Sequence, residues 1–359
     1  MMGKVLMKGN EALAEAAIIA GCRHYFAYPI TPQNEIPVYM SRRMAEVGGT
    51  FIQAESELAA ISMVMGASAG GVRTMTSSSS PGMALKQEGV SYLAGAELPC
   101  VLVNVMRGGP GLGGIAGSQG DYFQATRGGG NGDYHTIVLA PGNAQELADF
   151  AVDAFDLADE YRIPVLILAD GYLGQMSESL TLPMPSGKKF EKPWAVTGSE
   201  GRSRNTIASL RLIPDNALEM HNLHLQDKYN RITERVRRFD EYLCEDAEWL
   251  VVAYGTAGRV ARKAVDRLRD EDIKAGLFRP LSLWPFPDRE LNEFAKKAEK
   301  VLTVEMSLGQ LVEDVKLSVN GEAEMDFYGR AGGAVPTLDD IKGRIYSYGR
   351  QSHTHVQAS

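Results

Sequence analysis

Two segments, PCVLVNVM (99–106) and PVLILAD (164–170), are apolar at nearly every position rather than at every second one. A strand with one wet face alternates apolar with polar residues, whereas a strand without that alternation must be covered on both faces. Helices laid over both sides of a parallel sheet give such cover. The flanking sequence provides them. HYFAYPI follows a helix ending near Gly21, and a helix from about Asn34 leads to TFIQA. Pro81 suits the first turn of a helix reaching about Ala96. HTIVLAP and the helical NAQELADFAVDAFDLADEYR complete the alternation. The expected fold is therefore α/β, a doubly wound parallel sheet, with Asn10 capping the first helix.

The alternation decays between Gly171 and Glu248. A Pro- and Lys-containing loop there gives way to the charged DKYNRITERVRRFDEYL, expected as a solvated or inter-subunit linker. The alternation resumes with WLVVAYG, AGLF and KVLTVE, separated by helical stretches. Because 359 residues exceed one typical core, three units are expected: 1–185, a linker 186–246, and a smaller α/β unit 247–359. A net charge of −8 without a Lys/Arg-rich run argues against nucleic-acid binding. No run approaches the roughly 18 apolar residues that mark a membrane span. The N-terminus lacks the apolar stretch of a signal peptide. Cys22, Cys100 and Cys244 are too scattered for a disulfide framework or a metal motif, which points to a reducing cytoplasm.

Several segments offer chemistry, each with a plainer alternative. RGGPGLGGIAGSQGDYFQATRGGGNGDY (107–134) leaves the carboxyl end of a strand, where open α/β sheets place ligands. Gly109, Gly111 and Gly114 satisfy GxGxxG, but no clean helix follows. A binding or subunit-contact loop is therefore favoured over a dinucleotide fingerprint. Arg107 at the strand tip suits bidentate pairing with a carboxylate, or is an ordinary strand-end arginine. TSSSSPGMAL sets hydroxyls at a helix N-terminus, either for an anion or for capping by Ser80. FAYPITPQNEI is a tight turn, or it holds Thr31 at the sheet edge beside Arg107. His221 and His224, and the tail residues His353 and His355, lack the acidic or cysteine companions of a metal site and read as surface histidines.

The sharpest question is set by QAESELAAISMVMGASAGG. Helical projection places Glu57 above Ala60, Ile61 and Val64, in a helix apolar on every flank and so expected to be buried all round. Glu55 is explained by the helix dipole. For Glu57, burial disfavours the charged form, and a carboxyl that keeps its proton can donate a hydrogen bond.

Taken in order, YPITPQNE, QAESELAAISMVMGASAGG, TSSSSPGMALKQEG and PCVLVNVMRGGPGLG resemble the alpha subunit of the 2-oxoacid:ferredoxin oxidoreductases. The likeness is greatest to the branched-chain members, which act on 3-methyl-2-oxobutanoate (2-ketoisovalerate). The resemblance implies the thiamine diphosphate-binding fold, with a pyrimidine-binding domain over 1–185 and a transketolase C-terminal-like domain over 247–359. It implies oxidative decarboxylation of a 2-oxoacid to an acyl-coenzyme A, with electrons passed to ferredoxin. Thiamine diphosphate enzymes carry a glutamate nine positions before a glycine; Glu57 and Gly66 fit that spacing and Glu55 does not. Glu57 is thereby implied as the catalytic residue at N1′ of the aminopyrimidine. Thr31 and Arg107 are implied as contacts of the 2-oxoacid, with Arg107 facing its carboxylate. Tyr28, Ile30, Thr31 and Glu57 are implied as cofactor-binding residues.

The diphosphate and Mg²⁺ motif of such enzymes, GDG with a later asparagine, is not matched: the ADG at Ala169–Gly171 has no such asparagine. Nor are cysteines spaced for an iron–sulfur cluster. The resemblance thus implies half an active site without a metal ligand, catalytic only with a beta subunit that carries the diphosphate site, the Mg²⁺ and a 4Fe-4S cluster. A gamma subunit is expected beside it. Gly111 and Leu112 stand where 2-oxoglutarate members have Ser-Thr, which favours a branched-chain substrate, although Arg127 lies near enough to meet a distal carboxylate. A 2-oxoglutarate oxidoreductase subunit and a transketolase-like transferase subunit are the alternatives.

Overall fold

A computed structural model of the chain describes residues 3–199 and 201–355. The chain opens with β1 (Val5–Lys8) and α1 (Gly9–Ile19), followed by β2 (His24–Ala27), α2 (Glu35–Glu46), β3 (Thr50–Gln53) and α3 (Glu57–Ala69). Next come β4 (Thr74–Ser78), α4 (Ser80–Gly95), β5 (Cys100–Met106) and a short α5 (Tyr122–Arg127). The run continues with β6 (Ile137–Leu139), α6 (Ala144–Tyr161), β7 (Pro164–Asp170), α7 (Gly171–Gln175) and β8 (Ser177–Leu180). A long connection leads to α8 (Ala217–Arg235), β9 (Phe239–Tyr242), β10 (Trp249–Val252), α9 (Gly255–Arg269) and β11 (Ala275–Pro280). The last elements are β12 (Ser282–Trp284), α10 (Asp288–Ala295), β13 (Lys300–Glu305), α11 (Leu311–Val319), β14 (Glu324–Gly329) and α12 (Leu338–His355).

Seven strands form one sheet in the order β12-β6-β7-β5-β4-β2-β3. Its pairs are parallel except β12 with β6. β5 and β7 sit at its centre in a register that runs from Cys100↔Pro164 to Met106↔Asp170, and every residue of both is buried. This two-sided burial is what their unbroken apolar runs require. A second sheet has the order β14-β13-β10-β11-β9, and β1 pairs with β8 apart from both. β12 follows β11 in the chain yet joins the first sheet, while β9 precedes β10 and joins the second. The two halves are also welded by packing. Leu102, Leu166 and Leu168 of the first sheet share one apolar cluster with Leu250, Val252, Phe278 and Leu311 of the second half. Each such side chain contributes about 1.5–3 kcal/mol on burial.

Four local expectations are revised. α1 starts at Gly9 with Lys8 at its N-cap, and Asn10 lies inside the first turn. There its amide donates to Pro32 O and Glu35, both at 3.0 Å, so it ties the turn after β2 rather than capping. α4 has Ser79 at its N-cap without a side-chain cap bond, and Ser80 is its first residue. α8 is more than a solvated linker, since Leu225, Tyr229 and Ile232 enter the core. Its buried Lys228 donates to Glu97 and to Arg162 O, each at 3.1 Å.

The largest revision concerns α3, which is not buried all round. Glu57, Ala60, Ile61, Val64 and Ser68 face inward, and α4 packs so tightly that a side chain on Gly89 would run into Ile61. On the other flank Leu58 is 48% exposed, and Ser62 and Gly66 are open; a Cβ added to Gly66 would meet nothing within 4 Å. Sequence periodicity reports that a face is apolar, not which polypeptide covers it.

Candidate active site

Strand order places the predicted residues. β2 sends its chain outward to β3, while β4 and β5 lie on its other side, so the carboxyl ends of β2, β4 and β5 border a crevice of the kind that binds ligands in open α/β sheets. The segment Tyr28–Pro32 leaves β2 there, Ser79 and Ser80 leave β4, and Arg107 leaves β5.

Arg107 and Thr31 are brought together. Arg107 is 7% exposed; its Nη1 donates to Thr31 O and its Nη2 to Leu112 O, both at 2.9 Å. Its Nε is buried without a partner, which leaves part of the guanidinium fork open to an acceptor. The backbone beneath it is fixed by a polar relay. Arg107 N donates to Ser80 Oγ at 3.0 Å, and Ser80 Oγ donates to Asp121 at 2.5 Å. Asn104 accepts from Ser80 N at 3.1 Å and donates to Asp121 at 2.9 Å. Burial pushes the Asp121 carboxyl up, against the pull of the Ser80 and Asn104 hydrogen bonds. Ser80, read as a possible cap, is thus a strut under Arg107.

The Thr31 turn is held from three sides. Beyond Arg107, Asn10 and Gln175 donate to Pro32 O at 3.0 and 2.7 Å. Thr31 Oγ1 is exposed and accepts from Asn34 at 3.2 Å. Tyr28 is 38% exposed and Ile30 half-buried.

Glu57 opens α3 after the N-cap Ser56, whose hydroxyl accepts from Ala59 N at 3.2 Å. It is 6% exposed, and its carboxyl accepts no hydrogen bond from any described residue. Glu55 is exposed and accepts from Ser56 Oγ. A Cβ on Gly82 would lie 2.5 Å from Glu57 Oε1 and closer still to Ser78 Oγ, so the absent side chain makes the room that the carboxyl occupies. Ser78 Oγ is buried without a partner. Lys86, fully buried one turn further along α4, donates to Thr76 Oγ1 at 3.0 Å. Burial lowers its pKa to about 8, while the Glu57 charge raises it. Neither Lys86 nor Ser78 was singled out from sequence; the signal was a lysine four places after a glycine in a segment otherwise without charge until Glu88.

Other candidates do different work. The loop from Gly109 to Ala116 is exposed and precedes no helix that could open a dinucleotide site. Beyond it the segment clamps the two halves. Gln119 exchanges hydrogen bonds with the Met306 backbone and donates to Tyr254 O at 2.9 Å. Tyr122 donates to Asp314 at 2.5 Å. Arg127 is held by Asp314 at 2.7 and 3.1 Å, so the group expected near a distal substrate carboxylate already has a carboxylate partner within the chain. Asp170 of the ADG sequence accepts from Tyr172 N, Leu173 N, Thr256 N and Thr256 Oγ1, so it caps α7 and α9 together. Burial raises its pKa, opposed by these bonds. His221 meets Gly95 O and His224 meets Glu97; the side chains of His353 and His355 lie outside the described residues. No cluster of metal-binding side chains occurs among the described residues. A cleft lined by Arg127, Trp284, Phe286, Asn292 and Asp314 contains none of the predicted site residues.

The parallel sheet, with a buried glutamate at the carboxyl end of its strands, has counterparts among known proteins. At the level of fold alone, an inactive split-gene transketolase tetramer is similar, with TM-score 0.58 at 14% identity over 95% of this chain and 97% of that one. More specific matches follow. The family described as pyruvate flavodoxin/ferredoxin oxidoreductase, thiamine diphosphate-binding, matches residues 15–245, and pyruvate:ferredoxin oxidoreductase core domain II matches residues 247–341. The chain belongs to the 2-oxoacid:ferredoxin oxidoreductase family. It is 49% identical to the ketoisovalerate oxidoreductase subunit VorB of Methanothermobacter marburgensis, over 98% of this chain and 100% of that one. It is 36% identical to the 2-oxoglutarate synthase subunit KorA of Methanothermobacter thermautotrophicus, again over 98% and 100%. The 2-oxoglutarate:ferredoxin oxidoreductase from Magnetococcus marinus, solved with 2-oxoglutarate, coenzyme A and succinyl-CoA bound, superposes with TM-score 0.84 at 27% identity. That match covers 96% of this chain and 65% of that one.

The residues fit the aminopyrimidine. Glu57 is a buried acceptor that lacks a donor, set beside space that Gly82 keeps free and beside the unpartnered Ser78 hydroxyl. No helix among the described residues is long and apolar enough to cross a membrane.

Proposed function

We propose that this chain is the alpha subunit of a 2-oxoacid:ferredoxin oxidoreductase that converts a branched-chain 2-oxoacid of the 2-ketoisovalerate type to its acyl-coenzyme A. The observation that carries the reading is the Glu57 carboxyl, buried and without a hydrogen-bond donor at the sheet's carboxyl edge. Bound thiamine diphosphate supplies a nucleophilic carbon for the keto group and a sink for the electrons left when carbon dioxide departs. Glu57 holds a proton at the pyrimidine N1′, from a site that excludes competing water. Tyr28, Ile30 and Thr31 line the edge of the cofactor site. Arg107 orients the 2-oxoacid through its carboxylate, using the fork atoms that Thr31 O and Leu112 O leave free. The Thr31 hydroxyl bounds the same space.

The chain provides the pyrimidine half only. Asp170, the residue at the place of a diphosphate motif, is consumed by helix capping. The diphosphate, Mg²⁺ and a 4Fe-4S cluster are therefore assigned to a beta subunit, which a gamma subunit accompanies. The open flank of α3 at Leu58, Ser62 and Gly66 suits burial by such a partner. The branched-chain assignment is supported by 49% identity to a ketoisovalerate oxidoreductase subunit against 36% to a 2-oxoglutarate synthase subunit, and by Arg127 being held by Asp314. Electrons leave for ferredoxin, and the complex works in the cytoplasm.

The test is to purify the native complex, identify its subunits and assay viologen reduction with 2-ketoisovalerate, 2-oxoglutarate and pyruvate. The reading expects 2-ketoisovalerate to give the highest kcat/KM; a preference for 2-oxoglutarate would refute the substrate assignment.

A further inference from the structure

The second half of the chain carries none of the residues assigned to the reaction, yet its hydrogen bonds converge on the segment that holds Arg107. Just past β5, Arg107 and Gly117 face each other in a short antiparallel bridge, closed by Gly108 N donating to Ala116 O at 2.9 Å. The arm opposite Arg107 runs on into Gln119, which has no exposed surface. Gln119 N donates to Met306 O at 2.9 Å, and Met306 N donates to Gln119 Oε1 at 2.8 Å. Gln119 Nε2 donates to Tyr254 O at 2.9 Å.

A second grip follows. Gln310 Nε2 donates to Gly120 O at 2.7 Å and Gln310 Oε1 accepts from Phe123 N at 2.8 Å, so one amide brackets Asp121. Asp121 is the acceptor for Ser80 Oγ and Asn104, the struts beneath Arg107. Gln310 is itself fixed, because its N–H donates to the buried Glu305 carboxylate, which also accepts from Leu311 N and Val312 N. Close packing removes the remaining slack. A Cβ on Gly108 would lie 3.1 Å from Gly332 C, and one on Gly333 would lie 2.5 Å from Ala116 Cβ. The Gly332–Gly333 turn thus lies against both arms of the bridge.

We infer that Gln119 and Gln310 are positioning residues, through which the second half of the chain holds the Arg107 guanidinium in place for the 2-oxoacid. The inference rests on the reading of Arg107 as the carboxylate contact. Nη1 and Nη2 are committed to Thr31 O and Leu112 O, so the direction in which Nε faces is set by the backbone at Arg107. A site whose supporting contacts are loosened loses binding even when its own side chains are intact.

The experiment measures KM for 2-ketoisovalerate, kcat and thiamine diphosphate affinity in assembled complexes. The variants are Gln310→Leu, Gln119→Met, Arg107→Lys and the Gln310→Leu/Arg107→Lys double. Gln310→Leu and Gln119→Met keep side-chain bulk and remove the amide; each raises KM about threefold or more, with thiamine diphosphate affinity within about twofold of wild type. In the double variant KM is no higher than in Arg107→Lys, because Gln310 acts through Arg107. Effects on KM that multiply overturn the inference. A rise in KM matched by an equal loss of cofactor affinity also overturns it, since that marks general loosening of the site. Should Gln119→Met fail to assemble, Gln310→Leu, at the half-buried end of the clamp, decides. Arg107→Lys with a wild-type KM refutes the underlying reading of Arg107. A raised KM in Arg107→Lys, with both glutamine variants at the wild-type value, refutes the role of the glutamines alone.

Discussion

Arg107 Nη1 donates to the main-chain oxygen of Thr31 across 2.9 Å, joining the end of β5 to the turn after β2. With Nη2 on Leu112 O, the guanidinium grips two loops and still leaves Nε unpartnered. Lysine, a compact point charge, cannot span both carbonyls and also present a flat edge to a carboxylate. Arg107→Lys in the assembled complex is predicted to raise KM for the 2-oxoacid about tenfold or more, a loss of about 1.4 kcal/mol, and to leave thiamine diphosphate affinity nearly unchanged. An unchanged KM would confine Arg107 to bracing its two loops.

Gly82 has no conformational need for glycine in α4; its need is space. An added Cβ would lie 2.5 Å from Glu57 Oε1, and the neighbours on both sides are packed. Gly82→Ala is predicted to displace the Glu57 carboxyl and to cut kcat by about a hundredfold, with an overpacking cost of about 1–3 kcal/mol in stability. Activity and Tm measured together check this, and wild-type activity in the variant would show that Glu57 has another place to go.

The open flank of α3 makes a claim about assembly. Leu58 is 48% exposed on the flank of α3 that also carries the open Ser62 and Gly66, while the opposite flank is packed. Leu58→Asp is predicted to leave the isolated chain folded, with Tm within a few degrees of wild type, and to abolish co-purification of the beta subunit. A normal complex carrying Leu58→Asp would place the partner elsewhere.

The runs at 99–106 and 164–170 dictated a parallel sheet because residues covered on both faces leave no polar alternation, and β5 and β7 are buried throughout. Thr31 and Arg107 met because parallel strands bring their carboxyl ends to one edge. Contacts between distant segments were invisible. Asp170 gave no hint that it caps α9 as well as α7, since Thr256 is remote in sequence. Ser80 looked like a cap until Asp121 folded over it. Lys86 reads as surface by composition, yet it is fully buried, because its ammonium reaches from α4 to Thr76 of β4. The helix of Glu57 read as a core helix, because an uncovered apolar face and a buried one have the same sequence pattern.

His135 should mark the acid side of the stability profile. Its ring stacks on Trp284 with centroids 4.4 Å apart and meets the edge of Tyr229. Burial holds its pKa below the ordinary 6.5, so the folded chain binds fewer protons than the unfolded chain once pH falls under that value. Stability therefore drops on acidification below about pH 6.5. His135→Phe keeps the stack and removes the proton site, so its Tm is predicted to fall less than wild type between about pH 7 and 5. Parallel curves for the two proteins would locate the acid sensitivity in other groups.

The central claim is that Glu57 holds the proton at the cofactor ring. Glu57→Gln keeps the shape and removes the acid, so the most direct measurement is 2-ketoisovalerate-dependent viologen reduction by the assembled Glu57→Gln complex. The account predicts that the complex forms and that kcat falls about a hundredfold or more. Turnover within a few-fold of wild type, in a complex of normal composition, would contradict it.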